Sequence, residues 1–418
     1  MRDLIVGAGL AGLYQADVLL NQGNEVAIIE KTDKIGGQMR TIKYLKDGEV
    51  YYFDIGPHIS PKYHPVWYEF SRNVDWVKIP TPITSNIKMK KDLDLIFPPC
   101  RQNIGLLNLN DVWDLFRIVP SYLRRSFFKM EEDNLRDSLI NSWGDEFYYN
   151  YLLQLISNYF KLSPPKVSKK FKFRVSAPKI KSFIWVKKYD YYYPKYGIYE
   201  VIKYLKNKIL ERGGKIELKS EISEMNFTNN PLEVIFKKDG NIQKENFDRI
   251  FWSGSLSDLS RILNFEEKRK LNYRDLLTIN IAIDKPNLLG FITHTTYVTI
   301  PHVLFHRIYE PKKLSPYMAP ENKTSACLEI TLKKGEYDLE KIIKNALNQF
   351  KILYNLRNSG ISYLGYELVR DVYPLMYVNY KKNFSNLKKK LPDKLFLIGR
   401  TGKYHPFTIG ETLDSIIK

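Results

Sequence analysis

Cysteine is almost missing from this chain. Cys100 and Cys327 are its only two thiols in 418 residues. Two cysteines cannot build a disulfide framework, and their scarcity favours a reducing compartment. Long apolar runs are missing too: no stretch approaches the roughly 18–20 residues needed to cross a bilayer. The apolar N-terminus is broken by Gly7, Gly9 and Gly12 and runs into Asp17 with no small-residue cleavage site, so no secretory signal is expected. Together these absences predict a cytoplasmic protein. Internal repeats and low-complexity segments are also lacking.

Acid is scarce relative to base. Lys and Arg number 65 against 46 Asp and Glu, a net charge of +19. Such a charge attracts nucleic acid, anionic lipid or an anionic substrate. It follows equally from a lysine-rich composition, and no nucleic-acid motif accompanies it, so no nucleic-acid partner is expected. The densest basic stretch, residues 161–189, holds ten Lys or Arg and no acid, with Phe171, Phe173, Phe183 and Trp185 interleaved. That pattern suits a solvated face or a peripheral membrane contact. Oligomeric state is left open.

What is present is enough for a packed core. Hydrophobic residues make up 44% of the chain and charged residues 27%, and the length allows two domains. Residues 3–7, DLIVG, read as a buried parallel strand. Leu10, Leu13, Ala16, Leu19 and Leu20 predict a helix over 10–22, and EVAIIE at 25–30 a second strand. These three make a βαβ unit. Residues 48–60 read as strand and turn, 107–160 as mostly helical and stopped by Pro164 and Pro165. Residues 197–212 form an amphipathic helix ending at Gly213-Gly214. Strands follow, with an Asp239-Gly240 turn, and strands dominate 276–308 and 324–332. A helix is expected over 337–355, a strand over 394–399, and a helix from Thr408 to the end. The expected fold class is therefore α/β. A Rossmann-like nucleotide domain is assembled from three segments (1–60, 195–265 and 376–418). An α+β substrate domain is inserted as 61–194 and 266–375.

Gly7, Gly9 and Gly12 fit G-x-G-x-x-G between a strand and a helix. The first allows a tight turn, the second a close approach to a pyrophosphate, and the third close helix–strand packing. The helix N-terminus offers N–H groups to the phosphates. Glu30 ends the second strand 18 residues beyond Gly12. A carboxylate there accepts from a ribose diol and repels a 2′-phosphate, which favours FAD or NAD over NADP. Gly36 and Gly37 follow, where bare backbone can approach a flat group or a second phosphate, and Arg40 adds a cation.

With these residues the chain resembles the FAD-dependent amine oxidase and protoporphyrinogen oxidase superfamily, which includes phytoene desaturases and UDP-galactopyranose mutases. The matching stretches are GAGLAGLYQADVLL, VAIIEKTDKIGGQMRT, YYFDIGPHIS, YYPKYGIYEVIKYL and KLFLIGRTGKYHPFTIGETLDSI. The resemblance implies an FAD cofactor. It also implies that Gly399, Arg400, Thr408, Ile409 and Gly410 meet the flavin and pyrophosphate, and that Ile222 contacts the adenine. A helix starting at Thr408 would present N–H groups to charge that builds on a reduced flavin.

Three chemistries compete: hydride removal from a C–N or C–C bond of a small organic substrate, flavin-dependent rearrangement of a sugar nucleotide, and desaturation of an isoprenoid. An aromatic-rich insert, with Trp113, Tyr148, Tyr149, Tyr151, Tyr159, Phe160, Trp185 and Tyr191–Tyr193, suits a flat substrate or an ordinary helical core. The Gly56-Pro57-His58 turn is similar to that of the mutases and also to that of protoporphyrinogen oxidase-like members; the resemblance implies a place for His58 near the flavin, against a structural role in the turn. Tyr404 and His405, between Arg400 and the final helix, are further catalytic candidates, and Arg307 and Tyr373 are candidate holders of an anionic substrate. His302 and His306 are four apart, but HVLFHRIYE reads as a strand and no third ligand is evident, so no metal is expected.

Overall fold

The computed structural model describes residues 1–59, 69–70, 72–79, 83–90, 93–96, 109–174, 191–265, 271–289, 293–335, 337–356 and 360–416. Cys100, Phe183, Trp185 and the heart of the basic stretch lie outside them, as do the side chains of Trp113 and Phe173.

The βαβ unit forms as expected: strand Arg2–Val6, helix Leu10–Asn21, strand Glu25–Ile29. The helix buries Leu10, Leu13, Ala16 and Leu19 against Val201, Ile202, Leu205 and Ile209 of the helix Tyr199–Glu211. Their spacing puts one apolar stripe of each helix into the shared core. The sheet below is five-stranded and parallel, in the order Leu395–Leu397, Arg249–Trp252, Arg2–Val6, Glu25–Ile29, Lys215–Glu217. Three distant parts of the chain therefore supply one Rossmann-like sheet. Buried Asp3 is held by Arg249 at 2.7 Å, its partner in strand register.

A three-stranded antiparallel sheet (Ser220–Asn226, Leu232–Lys238, Asn241–Phe247) follows, its tight turn at Asp239 and Gly240, both with positive φ. A seven-stranded mixed sheet forms the other large layer, in the order 361–374, 273–283, 324–333, 307–309, 293–298, 83–90, 93–96. Strand Tyr273–Ile283 is buried at every position, including the polar Arg274, Asp275, Thr278 and Asn280. Helix Leu339–Leu353 packs Ile343, Ala346 and Phe350 into the apolar cluster of this sheet.

Several expectations are corrected. HVLFHRIYE is a strand only over Arg307–Tyr309, and His302 sits in a turn at φ +66°. The last helix is Ile409–Asp414, six residues rather than a run to the end. Lys161, left-handed at φ +49°, ends the helix Leu153–Phe160 before Pro164 is reached. Among the described residues six strands were not foreseen: Thr41–Lys46, which pairs with Glu49–Asp54, Trp76–Lys78, Ile83–Lys90, Leu93–Ile96, Tyr192–Pro194 and Ile361–Pro374. Among the described residues no helix is long and apolar enough to cross a membrane, and no cluster of three or more metal-ligating side chains occurs.

Candidate functional site

The parallel sheet changes direction at its first strand. Arg2–Val6 leads through a helix to one neighbour, Glu25–Ile29, while its other neighbour, Arg249–Trp252, comes from far along the chain. Parallel α/β sheets bind ligands beyond the carboxyl ends of strands at such a point. A cleft with a cavity volume of about 360 Å³ opens there, reached by Gly7 and Gly9 from the first strand's loop and by Ser253 and Gly254 from its neighbour's.

The glycines of the fingerprint occupy different environments. Gly12 does not line the cleft: a Cβ there would overlap the Gly7 carbonyl oxygen, so its bareness lets the helix seat on the loop. Gly9 is the reverse case. Nothing lies within 4 Å of where its Cβ would be, and it lines the cleft. It also begins the helix without a side-chain cap, so the first-turn N–H groups are left for a ligand. Gly36 N donates to Ala8 O at 2.8 Å, which brings the second glycine pair beside the first. Glu30 lines the cleft and accepts from Ala8 N at 2.9 Å, Thr32 N at 2.9 Å and Thr32 Oγ1 at 2.8 Å. A carboxylate has about four acceptor sites, so this held side chain retains capacity for a sugar hydroxyl.

The C-terminal motif reaches the same cleft. Gly399, Arg400, Thr408 and Ile409 line it, as does Ile222 from the antiparallel sheet; Gly410 does not. Thr408 and Glu411 form a capping box, with Thr408 N donating to Glu411 Oε2 at 2.6 Å and Glu411 N to Thr408 Oγ1 at 3.2 Å. The capping box engages those two N–H groups and the helix is short, so it leaves fewer free donors than the sequence suggested. Arg40 lines the cleft, but its guanidinium is paired with Glu367 at 3.1 Å and Nε donates to Gly37 O.

Gln38, missed in the sequence, joins these pieces. Its Oε1 accepts from Arg400 Nη1 at 2.9 Å, its Nε2 donates to Val372 O at 3.4 Å, and its carbonyl accepts from His58 Nε2 at 2.8 Å. Arg400 also donates to Phe407 O through Nε and Nη2. Nothing in the composition of IGGQMRT marks Gln38 out; its role arises only when four segments converge.

His58 lines the cleft beside them. Its Nε2 meets two carbonyls, Gln38 O and Ile55 O at 3.0 Å, which requires a proton on Nε2 and leaves Nδ1 as an acceptor. Burial, and then the Arg400 guanidinium, push its pKa down to about 4. The ring is therefore neutral near pH 7 and held in place. Its main-chain N–H donates to Tyr193 OH at 3.2 Å, and that hydroxyl donates to buried Asp54 at 2.5 Å. Asp54 also accepts from Thr41 Oγ1 and from Ile198 N at the start of helix Tyr199–Glu211. Burial raises its pKa to about 6 against those hydrogen bonds.

The other catalytic candidates are not in this cleft. Tyr404 is buried, and its hydroxyl donates to Leu375 O at 2.6 Å and lies 2.9 Å from Asn272 O. His405 packs on Phe407, ring centroids 4.5 Å apart. Arg307 holds Glu329 through two bonds, 2.8 and 2.6 Å, to a carboxylate that is fully buried, so its charge is compensated. Tyr373 is buried against Tyr159 at 4.8 Å. Of the aromatic insert, Tyr148, Tyr151, Phe160 and Tyr193 are core residues, and Tyr149 is exposed.

An NAD(P)-binding Rossmann-like domain model matches residues 5–74. An L-amino-acid oxidase from Bothrops moojeni is 38% identical over 138 residues, 33% of this chain and 26% of that protein. The chain thus matches about a quarter of the length of such curated relatives. Among solved structures, a reduced UDP-galactopyranose mutase superposes with a TM-score of 0.80 at 16% identity, covering 97% of this chain and 89% of the other. An assigned protoporphyrinogen oxidase from Exiguobacterium sp. 255-15 superposes at 0.70 and 14% identity, covering 99% and 96%.

Proposed function

We propose that the chain is a member of the FAD-dependent amine oxidase superfamily and an FAD-dependent oxidoreductase acting on a small organic substrate, a reading supported by its fold and its N-terminal segment. The observation that carries this reading is the convergence of Gly9, Glu30, Arg400 and Ile409 on one cleft. The donor set fits the cofactor: bare backbone and an uncapped helix for the pyrophosphate, a carboxylate for a ribose diol, and Ile222 for the adenine end. Bound FAD would supply the hydride acceptor, a chemistry the side chains cannot provide themselves. Gln38 and Arg400 hold the far end of the cleft in shape. His58, neutral and doubly anchored, orients groups there and is a poor proton carrier at pH 7.

Sugar-nucleotide rearrangement is the second reading, supported by the Gly56-Pro57-His58 turn at the cleft. The Arg307–Glu329 pairing weighs against it, because Arg307, a candidate holder of an anionic substrate, is already compensated. Anaerobic titration of the FAD-loaded protein with L-amino acids, other amines, porphyrinogens and UDP-sugars separates the two. Bleaching of the flavin by an amine or porphyrinogen, followed by peroxide on admitting oxygen, is expected. UDP-sugar binding without bleaching, with turnover switched on by dithionite, would favour the second reading. A protein that takes up no FAD would end both.

A further inference from the structure

The helix Leu109–Phe127 turns an apolar stripe to solvent. Val119, Leu123 and Phe127 recur every fourth residue and share one face. They are 50%, 48% and 80% exposed, and Phe128 beside them is 72% exposed. A helix of a globular core buries such a stripe. Bulky apolar side chains gathered on a surface mark an interaction site.

Along the stripe itself the charges have one sign. From Arg117 to Met130 the chain carries Arg117, Arg124, Arg125 and Lys129 and no carboxylate. Arg125 is engaged by Asp145 at 2.8 Å, while the residues Arg117, Arg124 and Lys129 are exposed. Exposed Glu131 and Asp133 follow, but Lys169 Nζ donates to Glu132 O at 2.5 Å and brings exposed Lys169 and Lys170 to this end. Lys170 stands close enough to exposed Lys381 to lower its pKa. Like charges held together suit a multivalent anion.

We propose that this end of the helix docks on an anionic lipid surface, with Phe127 and Phe128 entering the boundary between headgroups and acyl chains and Arg124, Lys129 and Lys169 meeting headgroup phosphates. Aromatic residues beside one-signed basic residues are the pattern of an interfacial helix. The helix lies along the surface and does not span it, consistent with its many charges. This surface is separate from the cofactor cleft, so the proposal stands or falls independently of the chemistry. It shares Lys169 and Lys170 with the basic stretch 161–189 but centres on the helix Leu109–Phe127.

The test sediments the whole protein with vesicles of phosphatidylcholine alone, and of phosphatidylcholine with phosphatidylglycerol. Strong partition into the anionic vesicles and little into the neutral ones is expected. The double variant Phe127→Ser, Phe128→Ser should lower that partition about tenfold or more with an unchanged unfolding temperature, because neither ring supports the core. Arg124→Gln with Lys129→Gln should lower it too and flatten its salt dependence. Equal partition of the wild type and the double Phe variant would overturn the proposal, as would no binding to anionic vesicles. A concentration-dependent dimer that the Phe variant abolishes, without vesicle binding, would assign the face to a second copy and refute the lipid.

Discussion

At the residue scale, the histidines carry a testable consequence. His58 and His294 are pushed down to about 4 and about 3, and His306 falls well below its ordinary range; in all three, burial is the first cause. In the unfolded chain each titrates near 6.5. As pH falls below 6.5 the unfolded state takes up protons that the folded state refuses, so stability drops between pH 6.5 and about 4. Asp54 acts in the opposite sense. Its raised pKa lets the folded state take up a proton first, which favours the fold as pH falls through about 6. Three histidines oppose one carboxyl, so the net trend should be acid destabilisation. His58→Gln keeps a donor toward Gln38 O and Ile55 O and removes the titration. Denaturant melts between pH 5 and 6.5 should then show a slope smaller by up to about one proton; an unchanged slope would sink this account of His58. Such a role was hidden in the sequence. Gly56-Pro57 announced a turn, and Ile55 O belongs to it, but the other carbonyl that holds the ring, Gln38 O, comes from a segment 20 residues earlier.

At the element scale, the loop between the first strand and helix separates packing from ligand contact. Gly12→Ala forces a Cβ into the Gly7 carbonyl, and Gly7 is itself held by a bond from its N to Ile29 O at 2.8 Å. The cofactor-free protein should lose about 1–3 kcal/mol. Gly9→Ala meets open space at φ −79°, so its cofactor-free unfolding temperature should hardly move while FAD affinity falls. Equal thermal losses in the two variants, measured by calorimetry, would refute this division. These positions were legible because βαβ geometry is local: spacing alone set Gly7, Gly12 and Glu30 in register. Tyr404 and His405 were not legible in that way. Closeness to Arg400 in the chain suggested the cleft, but Tyr404 adopts φ +50° and turns its ring back into the core toward Asn272 and Leu375. Arg307 was misread for a similar reason. Strand register sets it opposite Glu329, and only the pairing of two strands reveals that its charge is matched. Strand Ile361–Pro374 escaped notice because it is only half-buried over most of its length and its pairing is interrupted by bulges, which blurs the alternation.

At the scale of the whole molecule, the cleft fastens together chain segments that are nearly 400 residues apart. Gly7 and Gly9 come from the N-terminal unit, Ile222 and Ser253 from the middle, and Arg400 and Ile409 from the C-terminal segment. A ligand that binds only this assembled state stabilises all three at once, by about 2.7 kcal/mol at a hundredfold excess over its dissociation constant. FAD should therefore raise the unfolding temperature and slow hydrogen exchange together at residues 7–12, 220–226 and 399–412. Glu30→Gln preserves the size of the side chain and removes the charge that suits a ribose diol. Its cofactor-free exchange pattern should differ from that of the wild type only near Ala8 and Thr32, from whose N–H groups Glu30 accepts, while the FAD-induced protection weakens in all three segments, including 399–412, which Glu30 does not contact. Protection that persists at 399–412 after being lost at 7–12 would mean the two ends bind separately, and the single site assembled from three segments would have to be abandoned.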